Sequence, residues 1–267
     1  MFGRSVIVVA LGLFLTGCGD PREEFGRTWY IDGAGNWGFG VLDVPAGLKD
    51  ANYPGAVTHY HWSLTMNPAL DQTFRFIARS SGAALGREIT AYLKRYPNAD
   101  ANIIALSAGT GVGIWAIENL EPPCKLNHFI MLGSSLSSRY DVSKALRNMK
   151  GNIYVYYTST DPVLDGPVRA LGTIDGTFDD SAGLVGLIGP SARQGRVVNI
   201  ARRSEHSRFG WTGGHADCTN RRFVHQYLAR HLIKSPSQEP SGPYEQPARE
   251  TVAAGSLPVS TAGNFTP

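Results

Sequence analysis

The stretch Asn102–Gly111, which reads NIIALSAGTG, joins a short apolar run to a serine and a series of small residues. Its β-branched and apolar first half has the length of a buried strand. Ser107 follows directly, and small residues then open a helix. Ala105 and Gly109 stand two residues before and two after Ser107, the positions that a sharp strand-to-helix turn brings together. The stretch therefore predicts a strand, a tight turn with Ser107 at its apex, and a helix from Gly109.

Strand-like runs and helix-like runs alternate along the rest of the chain. Further strands are predicted at Thr28–Asp32, Ala56–Trp62, His128–Leu132, Asn152–Thr158 and Arg196–Ile200. Helices are predicted at Gly109–Leu120, at Asp141–Met149 with Asp141 as N-cap, at Thr219–Leu232, and around Leu85–Leu93 with Ser80 or Ser81 as N-cap. This alternation requires crossover connections and therefore a mainly parallel sheet. The predicted fold class is α/β, a three-layer α/β/α sandwich whose ligands bind beyond the carboxyl ends of the strands.

The N-terminus has the pattern of an export signal. Arg4 precedes the apolar run Val6–Leu15, which is too short to span a bilayer. Leu15–Cys18 (LTGC) resembles the lipobox of bacterial lipoproteins, which implies lipidation of Cys18 and a place in the cell envelope, anchored to a membrane outside the cytoplasm. The predicted organisation is a signal peptide over 1–17, a tether over 18–27, one domain over 28–234 and a disordered tail rich in proline and serine over 235–267.

Composition excludes several classes of protein. With 267 residues, 42% of them hydrophobic, the chain can bury a sizeable core and is not wholly disordered. The net charge of +3 has no basic block, so a nucleic-acid partner is not expected. Cys124 and Cys218 are expected at opposite ends of the sheet and so unbridged. His59 and His61 share a strand face but have no third ligand near them in sequence, so no metal is predicted.

A serine hydroxyl needs a base that is oriented by an acid. Asp161 lies in the loop that follows the predicted strand Asn152–Thr158, and His215 lies in the sequence Gly-Gly-His just before the last predicted helix. The order Ser107, Asp161, His215 resembles the α/β-hydrolase family over about 28–232. That resemblance implies a catalytic triad of these residues and an oxyanion hole made by the amides of Ala108 and Ala34, with Asp32 standing where many members carry histidine.

Other residues compete for these roles. Asp141, Asp165 and Asp217 are the alternative acids, although Asp141 is predicted as a helix cap and Asp217 as a local turn residue. His206, His225 and His231 are the alternative bases, although each falls in a polar stretch or inside a helix.

The resemblance predicts a membrane-tethered serine hydrolase that cleaves a carboxylic ester, small or lipid, without a cofactor. The Gly-rich but apolar excursion Val163–Gln194 is expected to return over the carboxyl edge of the sheet and to shape the substrate pocket. One alternative is a non-catalytic binding lipoprotein on the same scaffold. A nicotinamide-dependent oxidoreductase is a further alternative, because Gly33–Gly38 fits a dinucleotide fingerprint and Tyr140 and Lys144 have the spacing of short-chain dehydrogenases.

Overall fold

A computed structural model describes residues 20–233. Within them, six strands form one sheet in which every neighbouring pair is parallel. The strands are β1 (Arg27–Ile31), β2 (Ala56–Tyr60), β3 (Ala101–Leu106), β4 (His128–Leu132), β5 (Ile153–Tyr157) and β6 (Val197–Ala201). Their order across the sheet is β2-β1-β3-β4-β5-β6. The predicted α/β class is confirmed, and each predicted strand lies within two residues of its observed bounds.

Helices connect the strands. They are α1 (Asp43–Asp50), α2 (Pro68–Thr73), α3 (Arg75–Arg95), α4 (Gly109–Glu118), α5 (Ser143–Arg147), α6 (Arg169–Leu171), α7 (Ala182–Val185) and α8 (Arg221–Phe223). Turns of 3-10 helix occupy Pro21–Phe25, Pro190–Arg193, Ser204–Phe209, Asp217–Thr219 and Ala229–His231, and π-helical turns occupy Leu164–Val168 and Val224–Leu228.

The central strands β1, β3 and β4 are buried on both faces, which explains why they are continuous apolar runs rather than alternating ones. Ile103 and Ala105 of β3 point into a core that α3 and α4 cover. Ile104 and Leu106 point into a second core on the opposite face. That second core is closed by α1 and by the helical turns of residues 221–231. The layers are thus helix, sheet and helix.

Three predicted helices differ from the observed ones. The helix expected to be capped by Ser80 or Ser81 begins earlier, as α3 at Arg75. The helix expected over Asp141–Met149 is the shorter α5, although Asp141 does cap its approach by accepting the Ser143 amide at 3.0 Å. The last predicted helix is helical in parts, and it changes from α to π to 3-10 hydrogen bonding along its length.

Folded structure begins before the predicted domain boundary at residue 28. Pro21–Phe25 form a 3-10 turn, and its Glu23 carbonyl accepts the Tyr92 hydroxyl at 2.7 Å. Arg27 opens β1 and pairs with Glu23 at 3.2 Å. Most of the predicted tether therefore packs on the domain. The predicted signal peptide, Cys18 and the tail from residue 235 lie outside the described residues, within which no helix is long and apolar enough to cross a bilayer.

Candidate active site

Ser107 lies where β3 ends and α4 is about to begin. Its φ of 52° is in the left-handed region, which a residue with a β-carbon adopts only under constraint. Hydrogen bonds supply that constraint. The Ser107 amide donates to the Leu132 carbonyl at 2.9 Å, and the Ser107 carbonyl accepts the Thr110 amide at 3.0 Å and the Ser135 amide at 3.3 Å. The strained turn predicted from the sequence is therefore present, with Ser107 at its apex.

The small residues around Ser107 are required by close backbone approaches. A β-carbon on Gly109 would overlap the Asp32 carbonyl oxygen and lie 2.9 Å from Ile31 Cγ2. A β-carbon on Gly33 would lie 3.1 Å from the β-carbon of Ser107. The loop after β1 therefore rests directly against the serine.

Asp161 and His215 are brought together at the same edge of the sheet. His215 Nδ1 lies 2.7 Å from Asp161 Oδ2, and Asp161 is 1% exposed. The other carboxylate oxygen of Asp161 accepts the amides of Val163 and Leu164 at 3.0 and 3.1 Å, which fixes the carboxylate plane. The loop after β5 thus holds the Asp161 carboxylate in an orientation that directs Oδ2 toward the His215 imidazole.

The segment Leu132–Gly133 joins this pair to the serine. Leu132 accepts the Ser107 amide, and Gly133, with φ 46°, follows it. A β-carbon on Gly133 would lie 3.1 Å from the His215 carbonyl and 3.4 Å from Asp161 Oδ2. The glycine therefore admits the acid and the histidine beside the end of β4, next to Ser107.

The competing acids have local roles. Asp217 Oδ2 accepts the amides of Thr212 and Gly214 at 3.0 and 2.9 Å, as a turn residue does. Asp165 is exposed and pairs with Arg169 at 2.6 Å. Asp141 serves the start of α5, as described above. The contacts of these three carboxylates named here do not include His215.

The competing histidines are also engaged elsewhere or lie on the surface. His206 Nδ1 accepts the Arg203 amide at 3.1 Å, and its ring stacks on Trp211. His231 Nε2 lies 2.8 Å from the Tyr156 hydroxyl, and burial lowers its pKa to about 3. His225 is exposed.

The loop after β1 contains one candidate oxyanion donor, the Ala34 amide, and two buried carboxylates, Asp32 and Asp71, accept hydrogen bonds from that loop. Asp32 accepts the amides of Gly33 and Gly38, both at 2.7 Å. Burial raises the pKa of Asp32, although these hydrogen bonds act in the opposite direction. Asp71 Oδ2 accepts the Gly35 amide, also at 2.7 Å.

This bonding leaves the Ala34 amide, which follows Gly33 against the serine turn, without a protein acceptor among the described residues. In the same part of the chain, the amide of Ala108 also donates to no protein acceptor. Ala108 precedes α4, whose first turn has no side-chain cap, so the positive end of that helix faces the serine. Both predicted donors are thus free in the folded chain.

Sequence reasoning missed Asp71, which is fully buried in α2. Its second oxygen accepts the Thr65 hydroxyl at 2.7 Å, so Asp71 joins the segment after β2 to the loop after β1 (residues 32–42), called the oxyanion loop below for the role proposed for it. Thr110 was also missed. Its hydroxyl lies 2.5 Å from the Ser107 carbonyl and 2.7 Å from Ser134 Oγ. No pattern in the sequence around Asp71 marks it as buried, since its apolar neighbour Leu70 is exposed and its polar neighbour Gln72 is buried.

Other features of the chain have structural roles. A dinucleotide fingerprint requires its glycines to lead directly into a helix. Gly33–Gly38 does not do so, because the next helix, α1, begins only at Asp43. Tyr140 donates its hydroxyl to Glu118 at 3.0 Å and is a packing residue. Cys124 and Cys218 are both free thiols, and burial raises the pKa of Cys218.

Possible metal ligands do not converge. Within residues 20–233, no group of three His, Cys, Asp or Glu side chains is placed to hold a metal ion. The rings of His59 and His61 contact each other edge to face at 5.9 Å.

The excursion after β5 does pack along the carboxyl edge. The Ile174 amide donates to the Ser135 carbonyl at 3.0 Å, and Gly183 donates to Ser134 at 2.8 Å. The buried Ile174 side chain rests against Gly111 in the first turn of α4. Residues 163–194 therefore lie beside the turn that carries Ser107.

The fold and the site together describe an α/β protein with an all-parallel six-stranded sheet. A serine, a histidine and a carboxylate lie at the carboxyl edge of that sheet. No protein-family model and no curated protein matches the chain. A solved structure described as RedJ with a PEG molecule bound in the active site is similar at a TM-score of 0.36 and 13% identity, over 86% of this chain and 95% of that chain. A likeness of this degree adds nothing to what the sheet and the site indicate by themselves.

Proposed function

We propose that the chain is a serine hydrolase that cleaves a carboxylic ester, with Ser107, His215 and Asp161 as its triad. The observation that carries this proposal is the 2.7 Å contact between His215 Nδ1 and the buried Asp161 carboxylate, placed beside the strained Ser107 turn. An α/β fold hosts many functions, so the function rests on this site rather than on the fold.

Each residue has a defined task in the reaction. Asp161 holds the imidazole so that Nδ1 carries the proton and Nε2 is free to accept one. His215 takes the Ser107 proton as the oxygen attacks the ester carbonyl, then gives it to the departing alcohol. Water, deprotonated by His215, attacks the acyl-serine, and the carboxylic acid leaves while Ser107 regains its proton.

The negative charge that develops on the carbonyl oxygen requires donors that are already in place. The amides of Ala108 and Ala34 are assigned this role, because neither has a protein acceptor in the described residues. The uncapped start of α4 adds to the favourable field at this point.

The test is labelling of the full-length protein with a fluorophosphonate, read by intact mass and peptide mapping. The expected result is one adduct on Ser107 and no adduct in the Ser107→Ala or His215→Ala variants. His225→Ala is the matched control, because His225 is exposed and outside the site. A folded wild-type protein that stays unlabelled would reject the enzyme in favour of a binding lipoprotein.

The proposed enzyme is tethered to a bacterial membrane through lipidated Cys18. The proposal rests on the sequence alone, on the apolar run and the lipobox-like LTGC. Metabolic labelling with an alkyne fatty acid tests it, and Cys18→Ser is expected to lose the label.

A further inference from the structure

Large apolar side chains are exposed beside the candidate active site. Six of them, between 44% and 84% exposed, define an apolar rim: Trp37, Leu64, Met66, Phe74, Phe76 and Phe178. They come from the loop after β1, the segment 64–76 and the segment 171–178. Exposed apolar residues scattered singly need no explanation, but a contiguous group marks a binding surface.

Hydrogen bonds join the three segments. Trp37 Nε1 donates to the Met66 carbonyl at 3.1 Å. Gln72 Nε2 donates to the Gly172 carbonyl at 2.9 Å, although these residues are 100 positions apart in sequence. The rings of Phe74 and Phe76 also lie 6.2 Å apart, so the three segments that carry the rim are fastened to one another.

The same segments reach the nucleophile. Gly33, in the loop of Trp37, approaches the Ser107 β-carbon, as described above. Ile174, in the segment of Phe178, bonds Ser135, and Ser135 in turn bonds the Ser107 carbonyl. Ser107 itself is only 6% exposed. The segments that carry the rim are therefore the same ones that pack around the serine turn.

The few charged residues of the three segments indicate whether the rim would bind an anionic or a neutral apolar surface. The loop of residues 33–39 has no charged residue, and segment 64–76 has Arg75 and the buried Asp71. Segment 171–178 adds Asp175, whose carboxylate accepts the Ser137 amide. Without an excess of cationic residues, the rim has no attraction for an anionic surface, so it fits a neutral one.

We propose that the apolar rim docks on neutral aggregated lipid, and that the substrate class of this site is an ester with a long acyl chain presented at a lipid–water interface. The substrate class rests on the proposed hydrolase, whereas the docking does not. Partial burial of two large apolar side chains at a lipid surface contributes a factor of about ten in binding.

The chain contains its own probe of docking. Trp37 is 61% exposed, whereas Trp29, Trp62, Trp115 and Trp211 are at most 2% exposed. Phosphatidylcholine vesicles with brominated acyl chains are expected to quench the emission of the full-length Cys18→Ser protein, which lacks the proposed lipid anchor, and the quenching is expected to disappear when Trp37→Phe is added. The double variant Leu64→Ser/Phe76→Ser is expected to need about ten-fold more lipid for the same quenching. Phe25→Ser, at a residue equally exposed but at the start of β1, is the matched control.

Catalysis gives the second readout. The double variant is expected to keep its kcat/KM on monomeric p-nitrophenyl butyrate within about two-fold and to lose about ten-fold on a triacylglycerol emulsion. Circular dichroism and melting temperature check that the variant is folded. Equal loss on both substrates, or no loss on the emulsion, would overturn the assigned substrate class.

The remaining outcomes separate the two proposals. Quenching through Trp37 in a protein that hydrolyses neither ester and takes no fluorophosphonate would leave the docking supported and would reject both the hydrolase and its substrate class. No quenching by neutral vesicles would overturn the docking. A wild-type dimer in sedimentation that Leu64→Ser/Phe76→Ser dissociates would also overturn it, because the rim would then be covered by a second copy.

Discussion

Replacing Asp71 by alanine tests whether a buried carboxylate outside the triad positions the oxyanion loop. The change removes two hydrogen bonds, one from the Gly35 amide and one from the Thr65 hydroxyl, each of 2.7 Å. It also leaves the buried Gly35 amide without its acceptor. Ala34, the candidate oxyanion donor, is the residue directly before Gly35, so the loss acts where the proposed enzyme would bind its transition state.

The magnitude follows from the two bonds. A hydrogen bond to a carboxylate contributes about 1.5–3 kcal/mol, and water that enters the space recovers part of the sum. The free energy of unfolding is expected to fall by about 3 kcal/mol, which in a domain of this size lowers the melting temperature by about 6–12 °C. Displacing one oxyanion donor costs about 100-fold in kcat, with a smaller change in KM because ground-state binding uses other contacts.

The assay measures melting by circular dichroism, and kcat and KM on a soluble ester. Asp71→Asn is expected to recover much of both losses, because its side-chain carbonyl can still accept the Gly35 amide. Asp141→Ala, which removes a carboxylate-to-amide bond of 3.0 Å at the start of α5, is expected to leave kcat unchanged. An Asp71→Ala variant with wild-type kcat would refute the positioning role, whatever its melting temperature.

Three further perturbations have defined outcomes. Asp161→Asn is expected to lower kcat by about 10⁴-fold, because the wrong imidazole tautomer faces the serine, and a loss below ten-fold in ester assays would contradict the triad. Gly109→Ala is expected to lower the unfolding free energy by about 1–3 kcal/mol in urea titrations, because a methyl group there overlaps the Asp32 carbonyl; an unchanged midpoint would argue against this packing. Burial lowers the pKa of His231 from the ordinary 6.5 to about 3, so between pH 6.5 and pH 3 the histidine binds a proton in the unfolded chain but not in the folded one. The free energy of unfolding is therefore at its full value above pH 6.5 and declines by about 1.4 kcal/mol per pH unit as the pH falls toward 3. His231→Phe is expected to flatten that decline and His225→Gln to leave it intact, and identical pH profiles for all three proteins would count against the assignment.

The central strands were predictable because both of their faces are buried. Runs such as Asn102–Leu106 and His128–Leu132 therefore contain few polar interruptions, and turn residues bound them clearly. The helices were less predictable at their ends. α3 begins at Arg75 rather than near Ser80, because the segment before it packs against the oxyanion loop and the excursion, contacts that no local pattern announces.

The candidate site divides in the same way. Ser107, Asp161 and His215 stand at strand ends, where their order in the chain and the small residues around the serine indicate a shared edge. Asp71 stands in the six-residue helix α2, and its partner Gly35 lies 36 positions away. Contacts over such a separation depend on the folded arrangement, so a single sequence contains no periodic signal for them.

The polypeptide enters the domain at the end of the sheet opposite to the serine. Arg27 is level with Ala101, the first residue of β3, and six residues at about 3.3 Å each separate that level from Ser107, a distance of about 20 Å. A protein coupled to a bead through a cysteine introduced at the exposed Arg22, just before β1, would thus present the candidate active site to the solution. Its turnover of a dissolved ester should match that of the free protein, whereas coupling through a cysteine introduced beside Trp37 would place the bead across the entrance.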